Sequence, residues 1–378
     1  MFIVDAHLDL AYNASLGRDV AAPAEKQKPD MLGTPAVGLP DLVTGGAGLV
    51  CATIFCEPAI RDPNCGYKSP REAYEQGMWQ VRWYHEQVAA GRMRLVRTKQ
   101  DMTQLTMPGA TGGLSASVLL GDTGRQAARG TQDNSHAAVK PLLSDGPGRA
   151  VPAILLLEGA DALGSEEDVR VWFEAGLRIV ALAWNRTRHA GGTGAPGPLT
   201  DEGRAIVRVL DRFGIIHDIS HLAEESFWQL LDLSDGPVIA SHSNCRRFIP
   251  TDRQLSDEMI RAITARGGII GINFFDKFLV PPDEYGKRRA MLSDIVPHIR
   301  HICQIAGDAD HVGLGTDIDG GFGREKLPVE ITTWADMLRV ADTLFAAGFS
   351  DDQIQRIMGG NWARFFENNL PVAPGRDQ

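Results

Sequence analysis

Eight short runs of apolar, mostly β-branched residues punctuate the chain, and each ends in polar or glycine-rich positions. They are FIVDAH (2–7), LVCATIF (49–55), AVPAILLLEG (150–159), LRIVALAW (177–184), GIIHDISH (214–221), PVIASHS (237–243), GGIIGINFF (267–275) and HVGLGTDIDG (311–320). Near-continuous apolar strands of this kind mark a parallel sheet covered on both faces, because a strand with one wet face would alternate instead. Helical segments lie between most of them. In LTDEGRAIVRVLDRFG, Ile206, Val207, Leu210 and Phe213 recur at helical spacing, with Thr200 placed to cap the start and Gly214 just past the end. The design returns from Ser165 to Gly176 and from Ser256 to Gly267. Eight strands alternating with helices predict an α/β protein of the (β/α)8 TIM-barrel type, with a doubly wound open sheet as the weaker option.

At 378 residues the chain exceeds one simple core, but α/β barrels often fill this length as a single domain. We expect one barrel over residues 1–370. Residues 105–149 break the rhythm, being rich in Gly, Ser, Ala and Thr with little period. They read as an insertion between the second and third units, either a mobile lid near the site or a solvated excursion without a role. Residues 371–378 read as a flexible tail.

Composition narrows the partners. The formal net charge of -10 argues against nucleic acid or an anionic membrane, since a grip on phosphates needs clustered Lys and Arg. The five cysteines are an odd number without C-x-x-C spacing, and fit free thiols in a reducing compartment. The first strand begins at once, with no basic and apolar leader, and no apolar run reaches the ~18–20 residues that span a bilayer. A cytoplasmic protein is the expectation.

In a barrel of this type the working groups project from the C-terminal ends of the strands. Those positions are unusually polar here: His7 and Asp9 on the first strand, Glu158 on the third, His221 on the fifth, His242 on the sixth, Asp317 and Asp319 on the eighth. Residues i and i+2 of a strand share a face, so His7 and Asp9 can hold one ion together. The H-x-D spacing alone is weak evidence. Its weight comes from coincidence, because burying so many polar groups without compensation would cost several kcal/mol each, and a divalent cation offsets that cost. Five imidazole and carboxylate ligands exceed the needs of one tetrahedral zinc, which points to two ions sharing a bridging carboxylate. His189, His217, His298, His301 and His311 read more simply as surface or satisfied core histidines. No phosphate-loop pattern and no G-x-S-x-G elbow is present, which argues against a covalent hydrolase.

Several stretches together resemble one family, the renal or membrane dipeptidases, zinc peptidases of peptidase family M19 with an amidohydrolase-like barrel. They are VDAHLDL at the start, LEGADAL (157–163), HDISH (217–221), ASHSNCR (240–246), DRQLSDEMIRAI (252–263), GGIIGINF (267–274), HVGLGTDIDG and GGNWARFF (359–366). The resemblance implies a dipeptide substrate, including dipeptides with a D-residue at the C-terminal position, and a homodimer. It implies two Zn2+ ions, one held by His7 and Asp9, the other by His221 and His242, with Glu158 bridging them. Asp317 matches the family's acid/base aspartate, and Arg253 falls where an arginine grips the substrate carboxylate, a task suited to a bidentate guanidinium. The implied reaction is attack of a metal-activated hydroxide on the peptide carbonyl, with no acyl-enzyme.

The sequence departs from the animal enzymes at the fourth strand, where LAWNRTRHAGG puts Trp184 at the position of a histidine thought to steady the tetrahedral intermediate. Trp184 is therefore expected at the substrate, with Asn185 or His189 as the replacement donor. Phe275 likewise stands where those enzymes tend to carry tyrosine. Two alternatives stay open: a related amidohydrolase acting on another small amide or lactam, and a barrel that keeps zinc without turnover.

Overall fold

A computed structural model describes residues 1–59, 66–106 and 149–373. The eight runs all become parallel strands, and a ninth is added to them: β1 (Ile3–Leu8), β2 (Ala47–Phe55), β3 (Met93–Leu95), β4 (Val151–Glu158), β5 (Leu177–Ala181), β6 (Ile216–Asp218), β7 (Val238–Ile239), β8 (Ile270–Ile272) and β9 (Val312–Leu314). They pair in the order β7-β6-β5-β4-β2-β1-β9-β8. A parallel bridge between Ala240 and Ile270 joins the two ends, so the sheet is a nearly closed (β/α)8 barrel. The ninth strand, β3, pairs with β4 outside the ring. Its residues are interrupted by Arg94 and only Met93 is fully buried, so no continuous apolar run marks it in the sequence.

Alternate strand residues divide between two buried clusters. Val4, Ala6, Leu49, Cys51, Ile154, Leu156, Ile179, Ile216 and Ile239 pack together, and Trp362, Phe365 and Phe366 of the helix Asn361–Asn369 join them. Ile3, Val50, Ala52, Ala153, Leu155 and Leu157 pack instead with residues of the outer helices such as Trp172, Leu210 and Phe227. The first set is the barrel interior, stoppered by the last helix; the second is the jacket. The three helices begin and end as their punctuation demands. Thr200, Ser165 and Ser256 each accept a hydrogen bond from the third backbone N–H of their helix, and Gly214 and Gly176 stop two of them in the left-handed conformation.

Closure of the ring needs close approach. A Cβ on Gly271 would lie 1.9 Å from the carbonyl oxygen of Ser241, and one on Gly315 would lie 1.7 Å from the same atom. These two glycines let the seventh, eighth and ninth strands meet where the sheet closes. Nearby, Asp5 is buried and accepts hydrogen bonds from Thr316 N, Thr316 Oγ1 and Trp334 Nε1 at 2.6–2.8 Å, which ties β1 to β9.

The insertion expected at 105–149 lies almost wholly outside the described residues, as does the end of the tail. Among the described residues no helix is long and apolar enough to cross a membrane. Overpacking a core costs about 1–3 kcal/mol and more where the obstacle is backbone. Gly315→Ala is therefore expected to lower stability by at least about 3 kcal/mol, read as a lower urea midpoint at unchanged m-value.

Candidate metal centre

The polar groups reach the barrel mouth by a repeated offset. Glu158 is the last residue of β4, and His221, His242 and Asp317 each stand three positions beyond the end of their strands. His221 and Asp317 take left-handed backbone conformations (φ 66° and 60°), and with Asp319 (φ 63°) they are the non-glycine residues with positive φ among those described. That conformation costs an L-residue about 1–2 kcal/mol. Asp9 lies just past β1, at the start of the helix Leu10–Ser15, and not on the strand itself. It still converges with His7.

Glu158 is the centre of the cluster. Its Oε1 lies 3.2 Å from His221 Nε2 and 3.3 Å from His242 Nε2, whereas its Oε2 lies 3.6 Å from His7 Nε2, which is itself 3.6 Å from Asp9 Oδ2. Each carboxylate oxygen thus faces a different ligand set. The rings of His7 and His242 are 3.6 Å apart at their centroids. Ligand atoms of His7, Glu158 and His242 lie within 4.8 Å of one another, and so do those of His7, Asp9 and Asp317.

Hydrogen bonds behind the ligands fix their tautomers. Ser241 Oγ donates its single hydrogen to Asp218 Oδ2 at 2.6 Å, so it can only accept from His242 Nδ1 at 2.7 Å and His7 Nδ1 at 3.2 Å. In their neutral forms both imidazoles then carry hydrogen on Nδ1, which leaves the Nε2 lone pairs on the side of Glu158. Thr193 Oγ1 stands 2.9 Å from Nδ1 of His221. Asp218 and Ser241 sit inside HDISH and ASHS, so the motifs held a signal for them; nothing in the sequence marks Thr193.

Such an arrangement fits metal ions. His7 Nε2, Asp9 Oδ1 and Glu158 Oε1 are buried without a hydrogen-bond partner, and each such atom would cost about 1–3 kcal/mol if left so. An oxygen and nitrogen donor set without thiolate suits zinc or a similar divalent ion. In the absence of cations only protons can relieve the crowding. Burial opposes charge on His7, but Glu158 and Asp9 outweigh it and hold that imidazole well above its usual range. Burial, reinforced by His7 and Arg253, drives His242 well below it.

Asp317 is 8% exposed and hydrogen-bonded through Oδ2 to Asn273 Nδ2 at 2.9 Å. Burial pushes its carboxyl up to about 8 against the pull of His7, with Asp9 and Glu158 adding to the rise. A Cβ on Gly320 would come within 1.8 Å of Asp317 Oδ1, so only glycine there leaves room for the carboxylate.

The cluster opens into a cavity of about 440 Å³, lined by Arg253, Phe275, Lys277, Phe278 and Phe322 together with Tyr12, Phe55, Trp184 and Asn185. Arg253 donates to Ser243 Oγ at 2.9 Å and to the His242 carbonyl at 2.5 Å, and its buried Nε has no hydrogen-bond partner. Asn185 gives one N–H to the Thr193 carbonyl at 2.9 Å. His189 requires a correction. It is buried away from the cavity, with Nε2 donating to the carbonyls of Ala160 (3.0 Å) and Leu163 (2.9 Å), so it braces the loop after β4 and cannot reach a substrate.

The (β/α)8 barrel, with histidines and carboxylates gathered at its C-terminal mouth, has the same fold as an amidohydrolase from Pseudomonas aeruginosa, with a TM-score of 0.68 at 18% identity over 98% of this chain and 96% of that one. The chain belongs to the membrane dipeptidase family, peptidase family M19, whose model matches residues 143–373. It is similar to an uncharacterised protein in the pqqA 5′ region of Klebsiella pneumoniae, 32% identical over 222 residues covering 56% of this chain and 80% of that one. It is also similar to dipeptidase tcpJ of Claviceps purpurea, 31% identical over 57% of this chain and 50% of that one. Like tcpJ, three further fungal relatives, two from Schizosaccharomyces pombe and one from Aspergillus oryzae, are matched over about half their length. The fold recurs in a metallopeptidase from Rhodobacter sphaeroides crystallised with a phosphinate mimic of L-Ala-D-Ala, with a TM-score of 0.74 at 22% identity over 98% of this chain and 99% of that one.

Two outcomes follow for metal binding. Because His7 holds its proton well above the usual imidazole range, a cation must displace it: zinc binding is expected to release protons and to weaken as pH falls from 8 to 6. Calorimetry in buffers of different ionisation enthalpy checks this. Ser241→Ala frees both tautomers and is expected to lower zinc affinity about 10- to 100-fold with the circular dichroism unchanged.

Proposed function

We propose that the chain is a binuclear zinc dipeptidase, with His7 and Asp9 holding one ion, His221 and His242 the other, and Glu158 bridging. One observation carries this reading: the two oxygens of Glu158 face two separate ligand sets. Two zinc ions in such a site would supply Lewis acidity to the peptide carbonyl and bring the pKa of a water toward ~7.

The protein's own groups then do the rest. Arg253 is buried, which holds its guanidinium below the ordinary range against the pull of Asp317 and Glu158, and its Nε has no hydrogen-bond partner, so an incoming α-carboxylate would give it a direct counter-ion. Anchoring that end sets the scissile carbonyl over the cluster, and orientation of this kind supplies a large part of a barrier reduction. Asp317 takes a proton from the attacking water and passes it to the departing amine. Its raised pKa suits the second task, and cations beside it would favour the ionised form needed for the first. Asn273 fixes the carboxyl while the proton moves. Trp184 and Asn185 border the substrate, and Asn185, not His189, is left as the candidate donor to the oxyanion.

The altered fourth strand favours a second reading, hydrolysis of another small amide or lactam in the same site. A substrate panel separates the two. Dipeptides are expected to be hydrolysed, with activity lost to chelator and restored by zinc; turnover confined to other amides would select the second reading. Asp317→Asn is expected to cut kcat by about 10²- to 10⁴-fold while two zinc ions per chain are retained.

A further inference from the structure

One cation on the cavity wall has no task in this mechanism. Lys277 lines the cavity next to Phe278, the residue whose ring lies under Arg253, is exposed, and has no ion pair or hydrogen bond through its side chain among the described residues. Its neighbours are accounted for. Asp276 pairs with Lys326 at 3.5 Å, and Asp252, also on the wall, accepts from the Gly194 backbone N–H at 2.7 Å.

The backbone carrying Lys277 is held firmly. It is the middle residue of the 3-10 turn Asp276–Phe278, closed by hydrogen bonds from Phe278 N to the Phe275 carbonyl at 2.8 Å and from Leu279 N to the Asp276 carbonyl at 3.1 Å. Phe275 meets Phe278 edge to face at 5.0 Å and stacks on Phe322 at 4.4 Å. The guanidinium of Arg253 stands 5.4 Å over the ring of Phe278. Two positive groups thus share one wall, the buried one fixed by hydrogen bonds and the exposed one carried on a stiff turn beside it.

Resting on the dipeptidase reading, we infer that Lys277 gives this site a preference for dipeptides whose C-terminal residue is acidic, with Arg253 taking the α-carboxylate and Lys277 the side-chain carboxylate. A neutral side chain at that position leaves the ammonium in water and gains nothing from it. An acidic one completes a charge-assisted hydrogen bond at the cavity rim, where solvent screens it only in part.

The test compares zinc-loaded protein on Ala-Glu against Ala-Gln and on Ala-Asp against Ala-Asn, with either configuration at the C-terminal residue and at low ionic strength. The acidic member of each pair is expected to have at least about threefold higher kcat/KM, the size of a partly screened charge-assisted contact. Phosphinate analogues of the same pairs should reproduce the gap in Kd by calorimetry. Lys277→Met should bring the ratios to unity, and Lys277→Glu should turn the preference toward Ala-Lys. Ratios below threefold in the unaltered protein, or ratios that Lys277→Met leaves in place, overturn the inference. Failure to cleave any dipeptide overturns the dipeptidase reading itself and the inference with it, an outcome distinct from cleavage without preference.

Discussion

Bare imidazole nitrogens and carboxylate oxygens facing one another out of reach of water repel, and that repulsion is the constraint around which this barrel is organised. Glu158 is 4% exposed, and three histidine Nε2 atoms stand within 3.6 Å of its oxygens. Protons can relieve this only in part. The opposite displacements of His7 and His242 show why: two imidazoles in contact cannot both carry charge in a buried place. Divalent cations would satisfy the facing nitrogens and oxygens together, and the hydrogen bonds behind these side chains leave them oriented for that.

That preparation stores strain in the surrounding chain. His221 and Asp317 are held in left-handed backbone conformations, and Asp317 keeps its rotamer because residue 320 has no side chain. Gly271 and Gly315 let the closing strands approach the Ser241 carbonyl, which brings the Ser241 hydroxyl between His7 and His242. The rigidity of the barrel keeps these arrangements in place. The interior cluster and the last helix stopper one end, leaving the other for chemistry.

Much of this was legible in the sequence because it follows from local rules. Unbroken apolar runs gave the parallel strands, and the strand-end positions named the groups that meet at the mouth. What escaped depends on contacts between distant segments. Ser241 serves His7 across 234 residues, and no spacing reveals that. His189 was placed at the substrate by its proximity to Trp184 in the chain, yet the loop after β5 turns it inward to the carbonyls of Ala160 and Leu163. Trp184 and Asn185 do border the cavity. Lys277 lay outside the motifs, since its place on the wall is set by the packing of three phenylalanines.

The central claim is that Glu158 joins two ions. Anomalous diffraction at the zinc edge from crystals grown with zinc measures this directly. Two peaks about 3.5–4 Å apart, one on each side of the Glu158 carboxylate, are expected; a single peak, or peaks away from Glu158, would contradict the account.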